Sequence, residues 1–107
     1  MIDLDLLLNC GATLRTLSKN ETIFEVGDFP SYYYQVVEGK VKMNNYTDDG
    51  KEFIQDIFTS GRSFGEPPLF IDECYPANAI AITKAVVVQI KKSLFYEMLQ
   101  KHPEVSI

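Results

Sequence analysis

A chain of 107 residues, 46% hydrophobic and 23% charged, has room for one globular domain around one core. A net charge of -5, with 10 Lys and Arg against 15 Asp and Glu, argues against a cationic face for nucleic acid and fits small-molecule or protein partners. No apolar run reaches the ~20 residues of a membrane span. Asp3 and Asp5 also stand where a secretory signal carries basic residues, so a cytoplasmic protein without a membrane partner is expected. Cys10 and Cys74 are isolated, with no C-x-x-C, and predict two free thiols rather than a disulfide framework.

In chain order, the acids before Leu4, Leu6, Leu7 and Leu8, with Gly11 just beyond, predict a short helix over about 3–9. Four polar turns follow, centred on Gly27, Gly39, Gly50 and Gly61. The runs between them, such as Tyr32–Val37 and Lys40–Met43, have strand composition, and this spacing predicts an antiparallel sandwich or barrel. Asp48-Asp49-Gly50 is the clearest hairpin turn, with glycine supplying the positive φ. In Phe53–Phe58 the apolar residues fall in pairs four apart, a helical spacing, but the segment is short between its turns and is read as a strand. Ala79–Thr83 and Ala85–Ile90 return to strand composition, the second apolar on both faces and so expected to be covered on both sides. Ser93 is the expected N-cap of a terminal helix whose apolar face holds Leu94, Phe95, Met98 and Leu99, with Pro103 preventing its continuation. The order is a short helix, about eight strands and a terminal helix.

The stretch Phe64-Gly65-Glu66-Pro67-Pro68-Leu69-Phe70, followed by Tyr75-Pro76-Ala77-Asn78-Ala79-Ile80-Ala81, resembles the phosphate-binding cassette of cyclic-nucleotide-binding domains. Phe24–Asp28 matches the family's F-x-x-G-D turn, Val36–Val41 its V-x-x-G-x-V hairpin, Asp49–Glu52 its D-G-K-E turn, and Leu99–Pro103 its helix ending L-x-x-x-P. F-G-E alone is weak, whereas the ordered set over roughly residues 11–103 is strong. It is most similar to the sensor half of Crp/Fnr-type regulators related to the catabolite activator protein. That resemblance implies a mostly β fold, a double-stranded β-helix (jelly roll or β-roll) with short flanking helices, in a single domain spanning 1–107. It also implies a ligand site built from Phe64, Gly65, Glu66, Leu69, Tyr75, Ala77, Asn78 and Ala79. Gly65 would let a ligand approach the backbone, the short helix would offer N–H groups to a phosphate, and Glu66 would accept from a ribose hydroxyl.

The chain departs from the family where the phosphate would bind. Aligning Ala79-Ile80-Ala81 with the family's V-x-A places Tyr75 where the phosphate-neutralising Arg belongs, and no Arg follows Arg62. Pro67 and Pro68 remove two N–H donors from the first turn of the cassette helix. A buried phosphate would lack compensation, so the expected effector is one other than cyclic AMP. Tyr75 either lines the pocket in place of Arg or is a loop aromatic. Glu66 contacts ligand or satisfies the helix dipole. Arg62 is expected to face solvent, Tyr32–Tyr34 to serve packing rather than base stacking, and His102 to satisfy a helix end.

One histidine and two cysteines supply neither a cupin metal site, an iron–sulfur cluster nor a Ser-His-Asp set. No enzyme activity, metal or cofactor is expected. The expected role is effector sensing in a Crp/Fnr-type transcription regulator, homodimeric in a full-length context, with no direct nucleic-acid contact by this domain. No helix-turn-helix follows, and Ile107 falls about where the family's long dimerisation helix begins. The chain is therefore read either as a fragment of a longer regulator or as a stand-alone domain. The alternative is a degenerate β-roll that binds a protein partner, signalled by a large exposed apolar patch.

Overall fold

The computed structural model describes residues 2–105. Helix α1 spans Leu4–Asn9, and the Asp3 carboxylate caps it by accepting from the Leu6 N–H at 3.1 Å. Eight strands follow: β1 Thr13–Leu17, β2 Thr22–Phe24, β3 Tyr32–Glu38, β4 Val41–Tyr46, β5 Glu52–Phe58, β6 Ser63–Phe64, β7 Asn78–Ala81 and β8 Ala85–Lys91. Helix α2, Glu66–Ile71, lies between β6 and β7, and α3, Lys92–Lys101, closes the described fold. The strands form two antiparallel four-stranded sheets, ordered β1-β8-β3-β6 and β2-β7-β4-β5. Apart from the β4–β5 hairpin, sequential strands alternate between the sheets, the mark of a jelly roll.

Two cores result. Between the sheets lie Leu17, Phe24, Tyr34, Val41, Phe64 and Val87 with their neighbours. On the outer face of the first sheet, Leu7, Tyr33, Leu69, Ile90, Phe95 and Met98 gather the three helices onto it. Strand β8 separates the two, with Ala85 and Val87 turned into the first core and Val88 and Ile90 into the second. The expected two-sided cover of this run is therefore real, one side supplied by a sheet and the other by helices. Tyr33 and Tyr34 pack into opposite cores, consistent with packing rather than a base platform.

Two local features differ from simple periodicity. In β5, Asp56 faces Met43 and Ile54 faces Asn44, so Gln55 is left unopposed in a bulge. The bulge breaks the alternation of the strand, which is why its apolar residues are spaced as in a helix. The expected cap Ser93 is corrected. Helix α3 begins at Lys92, the cap position is Lys91, and no side chain bonds there. Strand β8 runs straight into α3, and the Lys92 N–H is taken by the Ser31 carbonyl at 2.9 Å, so tertiary pairing starts the helix before Ser93 can cap it. At its other end the His102 backbone N–H donates to the Met98 carbonyl at 2.9 Å, while its ring Nδ1 lies 3.3 Å from Glu104 Oε1.

Candidate functional site

The cassette begins on β6, which pairs with β3 and carries Phe64 into the inter-sheet core, 5.4 Å between centroids from a near-parallel Tyr34 ring. Gly65 turns the chain into α2 with φ 76°, in the left-handed region. A Cβ there would lie 3.0 Å from Tyr75 Cε1 and 3.1 Å from Phe24 Cζ. The close approach that this glycine permits is thus to an aromatic stack of the chain itself. Tyr75 lies flat on Phe24, centroids 3.6 Å apart and planes within 4°. Its backbone is locked to the Phe24–Asp28 turn, the Tyr75 N–H donating to Asp28 O and the Gly27 N–H donating to Tyr75 O, both at 2.9 Å.

The sequence left Tyr75 as a pocket lining or a loop aromatic, and the structure makes it the second, on the loop between α2 and β7 with its ring turned inward. It is 3% exposed within the inter-sheet core. Its hydroxyl has no hydrogen-bond partner among the described residues. Burial pushes the phenol far above its ordinary range, with Tyr34, Asp28 and Glu66 adding in the same direction. The ring is neutral at physiological pH and cannot stand in for a guanidinium.

A cavity of about 410 Å³ opens outside this stack, between α2 and β5. Its apolar wall is Met43, Phe58, Pro67, Pro68, Ile71 and Pro76, and its polar groups come from Gln55, Glu66, Glu73 and Cys74. Of the eight residues expected to form the site, Gly65 and Glu66 line it. Phe64, Leu69, Tyr75 and Ala79 are buried in the two cores, and Ala77 is buried as well. Asn78 is an internal tie, its Oδ1 accepting from the Val26 N–H at 2.9 Å and its Nδ2 donating to Asn44 Oδ1 at 3.2 Å. Glu66 accepts from the Ser63 hydroxyl and also borders an adjoining cavity of about 380 Å³ with Arg62.

Arg62 is half-exposed and engaged. It donates to Ile57 O at 2.9 Å and to Asp56 Oδ2 at 3.1 Å, and its guanidinium sits 4.7 Å from the Phe58 ring centroid. That hydrogen bond holds the Asp56 carboxyl below its ordinary value. Helix α2 presents two fewer N–H donors than an ordinary first turn, because Pro67 and Pro68 occupy it. Sequence reasoning missed the contribution of β4 and β5, namely Met43, Gln55 and Phe58, and that of Ile71, Glu73 and Cys74 beyond the motif. The one available signal was the irregular apolar spacing of β5, whose bulged Gln55 faces the cavity.

Helix α2 is coupled to α3. The Tyr96 hydroxyl donates to Leu69 O at 2.9 Å, and Lys92 pairs with Asp72 at the end of α2. Phe70 packs beside Phe95 and Tyr96.

A two-sheet β-roll with a strand–glycine–short-helix cassette on its edge defines a class of ligand-sensing domains. The family model for the cyclic nucleotide-binding domain matches residues 14–102, and the chain belongs to that family. It is 30% identical over 86 residues to the cAMP-activated global transcriptional regulator of Haemophilus influenzae, covering 78% of this chain and 38% of that protein. The structure of the Thermus thermophilus catabolite activator protein superposes with a TM-score of 0.83 at 24% identity, over 94% of this chain and 46% of that one. A lysophospholipase of Aspergillus oryzae is 28% identical over 91 residues, 85% of this chain but 6% of its own length. The chain thus spans less than half the length of each of these three proteins. Among the described residues, no helix is long and apolar enough to cross a membrane, and no group of three or more His, Cys, Asp or Glu is gathered for a metal.

Proposed function

We propose that this chain is the effector-sensing domain of a Crp/Fnr-type transcription regulator, with a degenerate phosphate site and an effector other than cyclic AMP. One observation carries the reading. The position matched to the family's arginine is Tyr75, buried against Phe24, and no Lys, Arg or His lines the adjacent cavity among the described residues. A cyclic phosphodiester there would be desolvated without a countercharge, a cost of several kcal/mol. The effector occupies the cavity between α2 and β5 and biases a two-state position of α2, which α3 reads through Tyr96 and Lys92. The domain works in the cytoplasm and, in a full-length context, as a homodimer. It neither contacts nucleic acid nor catalyses a reaction.

Calorimetric titration with cyclic AMP and cyclic GMP up to millimolar ligand tests this directly. No saturable heat is expected for either nucleotide. Saturable binding of either would overturn the degenerate-site reading and make Arg62 the first residue to replace.

A protein-binding β-roll is the second reading, favoured by the edge strand β5, where Phe53, Ile54 and Ile57 are 61%, 44% and 42% exposed. Shifts in the amides of Glu52–Phe58 on adding a partner, with those of Gly65–Cys74 unchanged, would select it over the first.

A further inference from the structure

The cavity between α2 and β5 carries charge of one sign. Glu66 opens α2 and Glu73 follows its end, and both border the space, while no cationic side chain does among the described residues. Arg62, in the adjoining cavity, is already held by Asp56 and Ile57 and lies over Phe58. An anion entering here would meet two carboxylates and a helix start that Pro67 and Pro68 leave two donors short. A protonated amine would meet carboxylate acceptors on this wall instead, in charge-assisted hydrogen bonds. The remaining lining is dominated by apolar side chains, Met43, Phe58 and Ile71 together with Pro67, Pro68 and Pro76, and it suits a carbon body rather than a sugar. The volume of about 410 Å³ sits near the lower end of the ~300–1,000 Å³ typical of small-molecule sites.

Resting on the effector-sensing reading above, we propose that the ligand of this cavity is a small, largely apolar molecule bearing a protonated amine, with Glu66 and Glu73 as its acceptors. Binding at Glu66 would load the start of the helix that is tied to α3 through Leu69 and Asp72. The sign of the lining charge therefore sets the specificity of the site, reversed from that of a phosphate site.

A matched pair of probes tests this, 2-phenylethylamine and 3-phenylpropionate, which share a ring and chain and differ in charge. Amide chemical shifts of the labelled chain are followed as each is added to millimolar concentration. The amine is expected to shift Gly65, Glu66, Ile71, Glu73 and Cys74 saturably, and the carboxylate to leave them in place. Glu73→Gln, outside α2 and free of the Ser63 bond, is expected to weaken amine binding about threefold to fivefold, the scale of one exposed ion pair. Equal shifts from the carboxylate, or an unchanged amine affinity in Glu73→Gln, would overturn the ligand class while leaving the pocket reading intact. No shift of these amides with either probe would overturn the pocket reading itself.

Discussion

Strands β8 and β5 are both seven residues long and both rich in apolar side chains, yet they live in opposite surroundings. Strand β8 sits between β1 and β3 with a core on each face. Strand β5 is an edge strand paired only with β4, and six of its seven residues are exposed. Apolar composition therefore has two meanings in this chain. In β8 it is the price of being buried twice. In β5 it borders a cavity and leaves an apolar surface that folding alone does not require.

The largest expected effect lies in β8. Ile90→Ala removes a side chain 1% exposed among Leu69, Phe95 and Met98. It should cost about 2–5 kcal/mol, read from urea denaturation, and would leave so small a domain close to unfolding. A loss below 1 kcal/mol would mean that the helices are not firmly docked on that face.

Next comes the hinge between core and cavity. Gly65→Ala must hold φ 76° and place a methyl 3.0 Å from the Tyr75 ring. The backbone conformation alone costs about 1–2 kcal/mol, and the crowding adds to it. Tyr75→Phe sharpens the same point from the other side, because it removes a buried hydroxyl that has no partner. Its stability should equal or exceed that of the parent. A clear loss would reveal a hydrogen bond to the ligand or to bound water.

The tyrosines of both cores give a pH signature. Burial pushes the Tyr33 phenol from 10.0 up to about 12, and raises Tyr34 and Tyr75 as well. In the window from about 10 to about 12 the unfolded chain releases this proton while the folded chain keeps it. The unfolded state then binds fewer protons, so stability falls as pH rises through that window. Tyr33→Phe should flatten the fall in a series of urea midpoints. An unaltered slope would place the effect on Tyr34 and Tyr75.

The smallest effect is expected on β5, where Ile57→Thr should change stability by about 0.5 kcal/mol or less. A cost approaching that of Ile90→Ala would show that β5 is covered in solution and would erase the contrast between the two strands.

Much of the fold was legible before any coordinate. The acidic start of the first helix, the regularly spaced glycine turns and the two-faced apolar run of β8 are local signals, each set by backbone geometry or by the period of a single element. The cassette was legible as a motif, and so was the lack of any Arg beyond Arg62. The occupants of that place were not. Tyr75 is polar at one end and follows a cysteine in a loop, and nothing near it in sequence announces Phe24, some fifty positions earlier, as its stacking partner. Ser93 looked like a cap because local chemistry favours it, and a carbonyl from Ser31 displaced it.

The sequence by itself therefore determined the family, the jelly-roll order of strands and turns, and the absence of any Arg after Arg62. These depend on residue types at fixed offsets. Only the tertiary structure decided which apolar strand is buried and which stands at an edge, that Gly65 makes room for Tyr75, and that Glu66 and Glu73 face a single cavity. Those outcomes depend on contacts between segments far apart in the chain, and burial and charge acquire their energies only once the segments meet.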